Sequence, residues 1–155
     1  MTDCIVIGGG LIGMFTAREL ARSGARVTLL ERGALGRESS WAGGGILSPL
    51  YPWRFPDPVN ELALWSQRHY ADLAATLHDE TGIDPQWYPC GLLILDPAEP
   101  EAVNPWQARF ADRAEWLDGR ATAATEPALA PDRAGPALWL PSIANIRNPR
   151  LLKAL

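Results

Sequence analysis

Cys4-Ile5-Val6-Ile7-Gly8-Gly9-Gly10-Leu11-Ile12-Gly13 decides how this chain begins to fold. Cys4 to Ile7 is a short β-branched apolar run, the pattern of a buried strand. Three glycines turn the chain. From Leu11 to Ser23 the spacing becomes helical, with Ile12, Phe15, Ala17, Leu20 and Ala21 available for packing. Gly24 stands where a helix C-cap is expected. Val27 to Leu30 is a second apolar run, closed by Glu31. Strand, helix and strand in about thirty residues predict a parallel βαβ unit with a right-handed crossover.

Gly8, Gly10 and Gly13 spell GxGxxG directly after a strand and at a helix start, the context that gives this short motif its meaning. Gly8 permits a tight turn, Gly10 lets a pyrophosphate approach the backbone, and Gly13 lets helix and strand pack closely. The N–H groups at the start of the helix, around Leu11 and Ile12, point at the phosphates, and the helix dipole adds roughly 0.3–1 kcal/mol per anionic contact. Glu31 lies near the expected offset of ~20 residues, where its carboxylate can accept from ribose hydroxyls and would repel a 2′-phosphate. A dinucleotide is expected, with NADP disfavoured.

The glycine turn alone leaves FAD and NAD open. The next segment, Arg37-Glu38-Ser39-Ser40-Trp41-Ala42-Gly43-Gly44-Gly45-Ile46-Leu47, favours FAD. Serine hydroxyls and small residues suit a loop lying along a second phosphate and under a flat ring. Residues 33–48 therefore read as a functional loop rather than a linker. A Pro-aromatic stretch follows, then a helix with Asp57 as its cap and Pro58 at its first position. Leu62, Trp65, His69, Leu73 and Leu77 mark one face, and Gly82 ends it. Gly91 to Leu95 is a strand, Trp106 to Leu117 a helix, and Ala137 to Leu140 a strand. Asn148 caps, and Pro149 opens, a helix that has no C-cap by Leu155, so a longer parent chain is expected.

The quoted glycine segment, with Glu31-Arg32-Gly33 and Ser39-Ser40-Trp41-Ala42-Gly43-Gly44, resembles the D-amino-acid oxidase family of FAD-dependent oxidoreductases. Within it, Trp41 to Pro52 and Ile146-Arg147-Asn148-Pro149-Arg150-Leu151 are most similar to the glycine oxidase branch tied to thiamine biosynthesis. The resemblance implies that Gly8, Gly10 and Gly13 hold the pyrophosphate and Glu31 the ribose. It places Arg32 near the adenosine and Ser39 and Ser40 on phosphate. It also sets Ala42, Gly43, Gly44, Gly45 and Ile46 beside the isoalloxazine, and the backbone of Ile146 at the adenine. It implies an oxidase that takes hydride from a small amino acid or amine and passes electrons to oxygen. Its catalytic residues would lie beyond Leu155, leaving residues 1–155 inactive by themselves. A homo-oligomer is compatible with the full-length form.

The fold class expected is α/β: a Rossmann-like FAD-binding βαβ unit with part of an interleaved α+β substrate domain. Residues 1–48 and 141–155 would belong to an incomplete FAD-binding domain and 49–140 to the substrate domain. An NAD-dependent dehydrogenase and a non-catalytic nucleotide-binding fragment are the alternatives.

Bulk properties agree with a globular enzyme. Of 155 residues, 47% are hydrophobic and 21% charged, with a net charge of −4, which argues against disorder and against nucleic acid as a partner. Cys4 and Cys90 are far apart and outside any CxxC pair, so no metal site is expected and reduced thiols in a cytoplasm fit. Glycines interrupt the N-terminal apolar stretch, which excludes a signal peptide or membrane span there. Among local candidates for substrate contact, Arg54 reads as a solvated loop arginine, His69 and His78 as surface or core-edge residues, and the acids near Glu99 and Glu101 as a solvated turn. Tyr51 and Trp53 are read mainly as packing residues.

Overall fold

The computed structural model describes residues 1–97, 99–110 and 113–155. It is a mixed α/β chain that divides into two compact units. The first comprises residues 1–45, 70–87 and 146–155; the second comprises 46–69 and 88–145.

In the first unit, β1 (Cys4–Ile7) and β2 (Val27–Leu30) pair in parallel, Cys4 opposite Val27 and Ile7 opposite Leu30, with α1 (Leu11–Arg22) between them in sequence. This is the expected βαβ unit. Gly24 has a φ of +94°, and its N–H closes the helix on the Ala21 carbonyl. A one-turn helix, α2 (Ser39–Ala42), interrupts the stretch read as loop. The unit also holds the second half of α3 (Asp57–Thr81), where Ala74 and Leu77 are buried, and α6 (Asn148–Ala154), where Leu151, Leu152 and Ala154 are buried. Alternation along β1 leaves Ile5 and Ile7 bare, Ile7 at 86% exposure. Ile12, expected to pack, is 78% exposed; Met14 takes the buried place on α1.

The second unit is built on an antiparallel sheet in the order β3 (Leu92–Leu95), β5 (Ala137–Leu140), β4 (Glu115–Leu117). The central strand β5 is the most deeply buried, with Ala137, Leu138 and Leu140 inaccessible. Its core joins Ile94, Leu138, Leu140 and Ile143 to Val103 and Trp106 of α4 (Pro100–Phe110). Val103 and Trp106 are three residues apart, so one helix face meets the sheet. The helix expected at Trp106–Leu117 therefore starts six residues earlier, and 115–117 is a strand. Cross-strand pairing decides this: Trp116 sits opposite Leu138 and Leu117 opposite Ala137, contacts that periodicity within 106–117 does not reveal. A short helix, α5 (Gly119–Thr125), follows, capped by Asp118, whose carboxylate accepts from the Ala121 N–H at 2.8 Å.

Three local readings are corrected. Asp57 lies in the first turn of α3 instead of capping it; the Pro56 carbonyl accepts the first N–H groups. Leu62 and Trp65 are exposed, at 68% and 57%, and His69 is exposed too, so the buried stripe of α3 is Ala74 and Leu77, with Asn60 buried near its start. Asn60 donates to the Pro52 and Phe55 carbonyls and accepts from the Trp106 indole, which satisfies a polar core residue. At α6 the cap position is Arg147, and Asn148 turns its side chain elsewhere. No described helix is long and apolar enough to cross a membrane.

Candidate functional site

The glycine turn is locked by its own backbone. Gly8 has a φ of +104° and donates to the Leu30 carbonyl at 2.8 Å, tying the end of β1 to the end of β2. A Cβ on Gly13 would run into the Gly8 carbonyl oxygen. Helix and turn thus touch with no room for a methyl group. Gly9, which the motif leaves as any residue, is equally confined: a Cβ there would meet Leu35 and the Glu31 side chain.

Two further amides at this turn, besides that of Gly8, are used internally. The Gly9 N–H donates to Glu31 Oε2 at 2.7 Å, and the Leu11 N–H donates to Ser40 Oγ at 2.9 Å. The amides of Gly10, Ile12 and Gly13 make no hydrogen bond among the described residues. They gather at the N-terminus of the 12-residue α1, where the helix dipole favours an anion.

Glu31 makes internal bonds that its position at the strand end did not predict. Its Oε1 accepts from the Gly33 N–H at 2.9 Å while Oε2 holds Gly9, so the carboxylate staples the glycine turn to the following loop. The Gly9 bond first, and the Gly33 bond next, favour the ionised carboxylate and hold its pKa below the ordinary glutamate range. Each carboxylate oxygen keeps a further lone pair, so a ribose hydroxyl remains compatible with the staple. Arg32 is exposed and pairs with Glu38.

Beside the turn lies a cavity of about 110 Å³ lined by Gly10, Glu31, Ala34, Gly36, Arg37, Glu38, Ser39 and Ser40. It is smaller than the about 300–1,000 Å³ of a complete ligand site and suits one portion of a dinucleotide. Arg37 is a cation at this cavity that motif reading missed; its position just before Ser39-Ser40 was the available signal. Its guanidinium lies 4.1 Å from the Trp41 ring centroid. The amides, the acid and the hydroxyls fit a diphosphate with its adjoining sugar. A larger and more open hollow of about 370 Å³, between α3 and residues 84–87, shares no lining residue with the turn.

Gly43 and Gly45 are held by the segment that leads into α6. The Ile146 N–H donates to the Gly45 carbonyl at 2.9 Å, and Asn148 Nδ2 donates to the Gly43 carbonyl at 3.1 Å. Ile146 is buried, with its N–H engaged. Ala42, Gly43 and Gly44 are exposed. In the second unit, Ile46 bridges to Asn145.

The other candidates are committed to structural bonds. Arg54 makes an ion pair with Glu99, its Nε 2.9 Å from Oε2, and stacks 4.3 Å over the Tyr51 ring. The Trp53 indole donates to the same carboxylate, whose acidity these contacts strengthen, Arg54 foremost. Arg54 is exposed, as expected, but paired, and Glu99 is half-buried rather than a solvated turn acid. His69 Nδ1 lies 2.7 Å from the Trp65 carbonyl one turn back, and its ring stacks on Trp65. Among the described residues no group of three His, Cys, Asp or Glu is placed to hold a metal, and both cysteines are free.

Comparison with known proteins agrees with this geometry. The FAD-dependent oxidoreductase family DAO matches residues 3–155. The glycine oxidase of Pseudomonas aeruginosa is 46% identical over 153 residues, which are 97% of this chain and 41% of that protein. The glycine oxidase of Pseudomonas putida is 43% identical over 97% of the chain and 41% of its own length. The crystal structure of glycine oxidase from Geobacillus kaustophilus superposes with a TM-score of 0.88 at 29% identity, covering 98% of this chain and 42% of that one. The chain thus spans about two fifths of the length of these relatives.

Proposed function

The chain belongs to the DAO family of FAD-dependent oxidoreductases, whose cofactor is FAD, and we propose that it forms the amino-terminal part of an oxidase for glycine or another small amine. The observation that carries this reading is the set of three unpartnered amides at the N-terminus of α1, beside the Glu31 staple and the cavity with Arg37, in a chain 46% identical to a glycine oxidase.

Bound FAD would accept the hydride from the α-carbon of the amine, with oxygen as the final acceptor. The residues of this chain bind and orient it. The amides of Gly10, Ile12 and Gly13 receive the diphosphate. Glu31 accepts from the neighbouring ribose while holding the turn in shape. Ser39, Ser40 and Arg37 face the phosphate from the opposite side of the cavity, and Arg32 lies towards the adenosine side. Gly43 to Ile46 and the backbone of Ile146 are assigned to the rest of the cofactor. The first unit is read as part of the FAD-binding domain and the second as part of the substrate domain.

Arg54, the local candidate for a substrate clamp, is already neutralised by Glu99. The bidentate arginine expected for an amino-acid carboxylate is therefore assigned to sequence outside residues 1–155. Both free cysteines fit a cytoplasmic setting.

The test uses the full-length protein. It should purify yellow, and with glycine or sarcosine under oxygen it should release hydrogen peroxide. A colourless protein that cannot be reconstituted with FAD overturns the cofactor assignment. A yellow protein inert towards every small amine tested overturns the substrate class alone.

A further inference from the structure

The cavity beside the glycine turn is lined by three charged residues, and two of them are already committed. Glu31 holds the amides of Gly9 and Gly33. Glu38 pairs with Arg32 at 2.5 Å, so the carboxylate next to Arg37 in sequence does not hold Arg37. The third, Arg37, makes no hydrogen bond or ion pair through its guanidinium among the described residues. That group lies instead over the Trp41 ring, 4.1 Å from the centroid. The contact is made locally: the Trp41 N–H donates to the Glu38 carbonyl at 3.0 Å, and this turn into α2 brings the indole back beside residue 37.

Stacking uses only one side of this cation. An aromatic ring engages the flat face of a guanidinium, while the N–H donors lie in its plane and stay available. A guanidinium held in this way keeps its fork for a bidentate anion. A long arginine side chain loses rotamer freedom on gripping a ligand, and a ring that already holds it removes part of that loss beforehand. We infer that Trp41 is a positioning residue for the cofactor: its ring keeps the Arg37 guanidinium at the cavity, as an uncommitted cation for the diphosphate that the amides of Gly10, Ile12 and Gly13 receive. The inference rests on the FAD reading above, and it assigns Trp41, which the glycine motif and the serine contacts leave without a role.

The full-length protein and its Arg37→Gln, Trp41→Leu and Trp41→Phe variants, with the Arg37→Gln/Trp41→Leu double variant, are stripped of flavin and titrated with FAD over a range of salt concentrations. Arg37→Gln should weaken FAD binding about tenfold or more, the scale of a hydrogen bond to a charged group. It should also flatten the dependence of binding on salt, because a charge that meets the diphosphate is gone. Trp41→Leu keeps the charge but releases it, and should weaken binding about two- to fivefold, the scale of an exposed cation–π contact. Trp41→Phe keeps a ring and should stay close to wild type. In the double variant, Trp41→Leu should add nothing to Arg37→Gln, since no guanidinium is left to hold. The apoproteins should unfold close to wild type. A wild-type protein that takes up no FAD removes the functional reading and this inference with it. If wild type binds FAD but Trp41→Leu shares its affinity, weakens binding equally with and without Arg37, or fails to fold as an apoprotein, Trp41 is a packing residue and the inference falls while the functional reading stands. An Arg37→Gln variant with the affinity and salt dependence of wild type has the same consequence.

Discussion

Two glycine clusters sit in the same unit and owe their composition to different causes. Gly8, Gly9, Gly10 and Gly13 are required mostly by neighbours close in sequence: Gly13 presses on the Gly8 carbonyl, and Gly9 lies against Glu31 and Leu35. Gly43 and Gly45 make room for Asn148 and Ile146, a hundred residues later. The first cluster is a local device whose logic is complete by Ser40. The second has meaning only once the chain has returned. A glycine-rich run is therefore no single signal; what matters is which atom stands where the missing Cβ would be.

Substitutions can break this contrast. Gly13→Ala should have the largest effect, because the added methyl meets rigid backbone inside a helix. Overpacking of this kind costs about 1–3 kcal/mol or more, and FAD titration should show cofactor uptake lost together with a lower unfolding midpoint. Retained binding would show that helix and turn can separate.

Gly45→Ala should come next. It forces a left-handed backbone on a residue with a side chain, about 1–2 kcal/mol, and pushes on the Ile146 carbonyl, but a loop yields more readily than a helix. Thermal unfolding of the apoprotein should register the loss. No change would mean that the segment 146–148 does not confine this loop.

Glu31→Gln tests the staple through pH. The folded-state acidity of Glu31 is stronger than that of an unfolded glutamate, so its contribution to stability is present above the unfolded carboxylate range. It is lost as pH falls through the lower folded value. Wild type should therefore exceed the variant in unfolding midpoint at neutral pH, and the gap should narrow as the solution becomes acidic. A gap independent of pH would assign the effect to shape alone.

Gly44→Ala should be the mildest for the apoprotein, since its methyl enters open space. Any shift it causes in the bound flavin spectrum would then report the ring lying against this side of the loop, and a large loss of apoprotein stability would contradict the open geometry.

Much of the phosphate turn was legible because its determinants are near one another in sequence. Strand, glycines, helix and Glu31 follow periodicity and turn chemistry within about thirty residues. The parallel pairing of Cys4–Ile7 with Val27–Leu30 followed from the same unit. Elsewhere the reading failed for identifiable reasons. Trp116 looked helical by continuity with Trp106, yet pairing with Leu138 made it part of a strand. The face of α3 was drawn through Leu62 and Trp65, although hydrophobicity alone does not say which side meets a partner. The pairing of Arg54 with Glu99 was not legible because forty-five positions separate them.

The sequence by itself determined the βαβ unit, the glycine turn and the acid at the second strand's end, because short-range sterics and hydrogen bonding dictate them before any distant contact forms. Only the tertiary structure decided that Glu31 closes on Gly9 and Gly33, that Glu99 holds Arg54, and that Asn148 grips the second glycine run. Those pairings depend on which surfaces the folded chain brings within hydrogen-bond reach, a distance that separation along the chain does not encode.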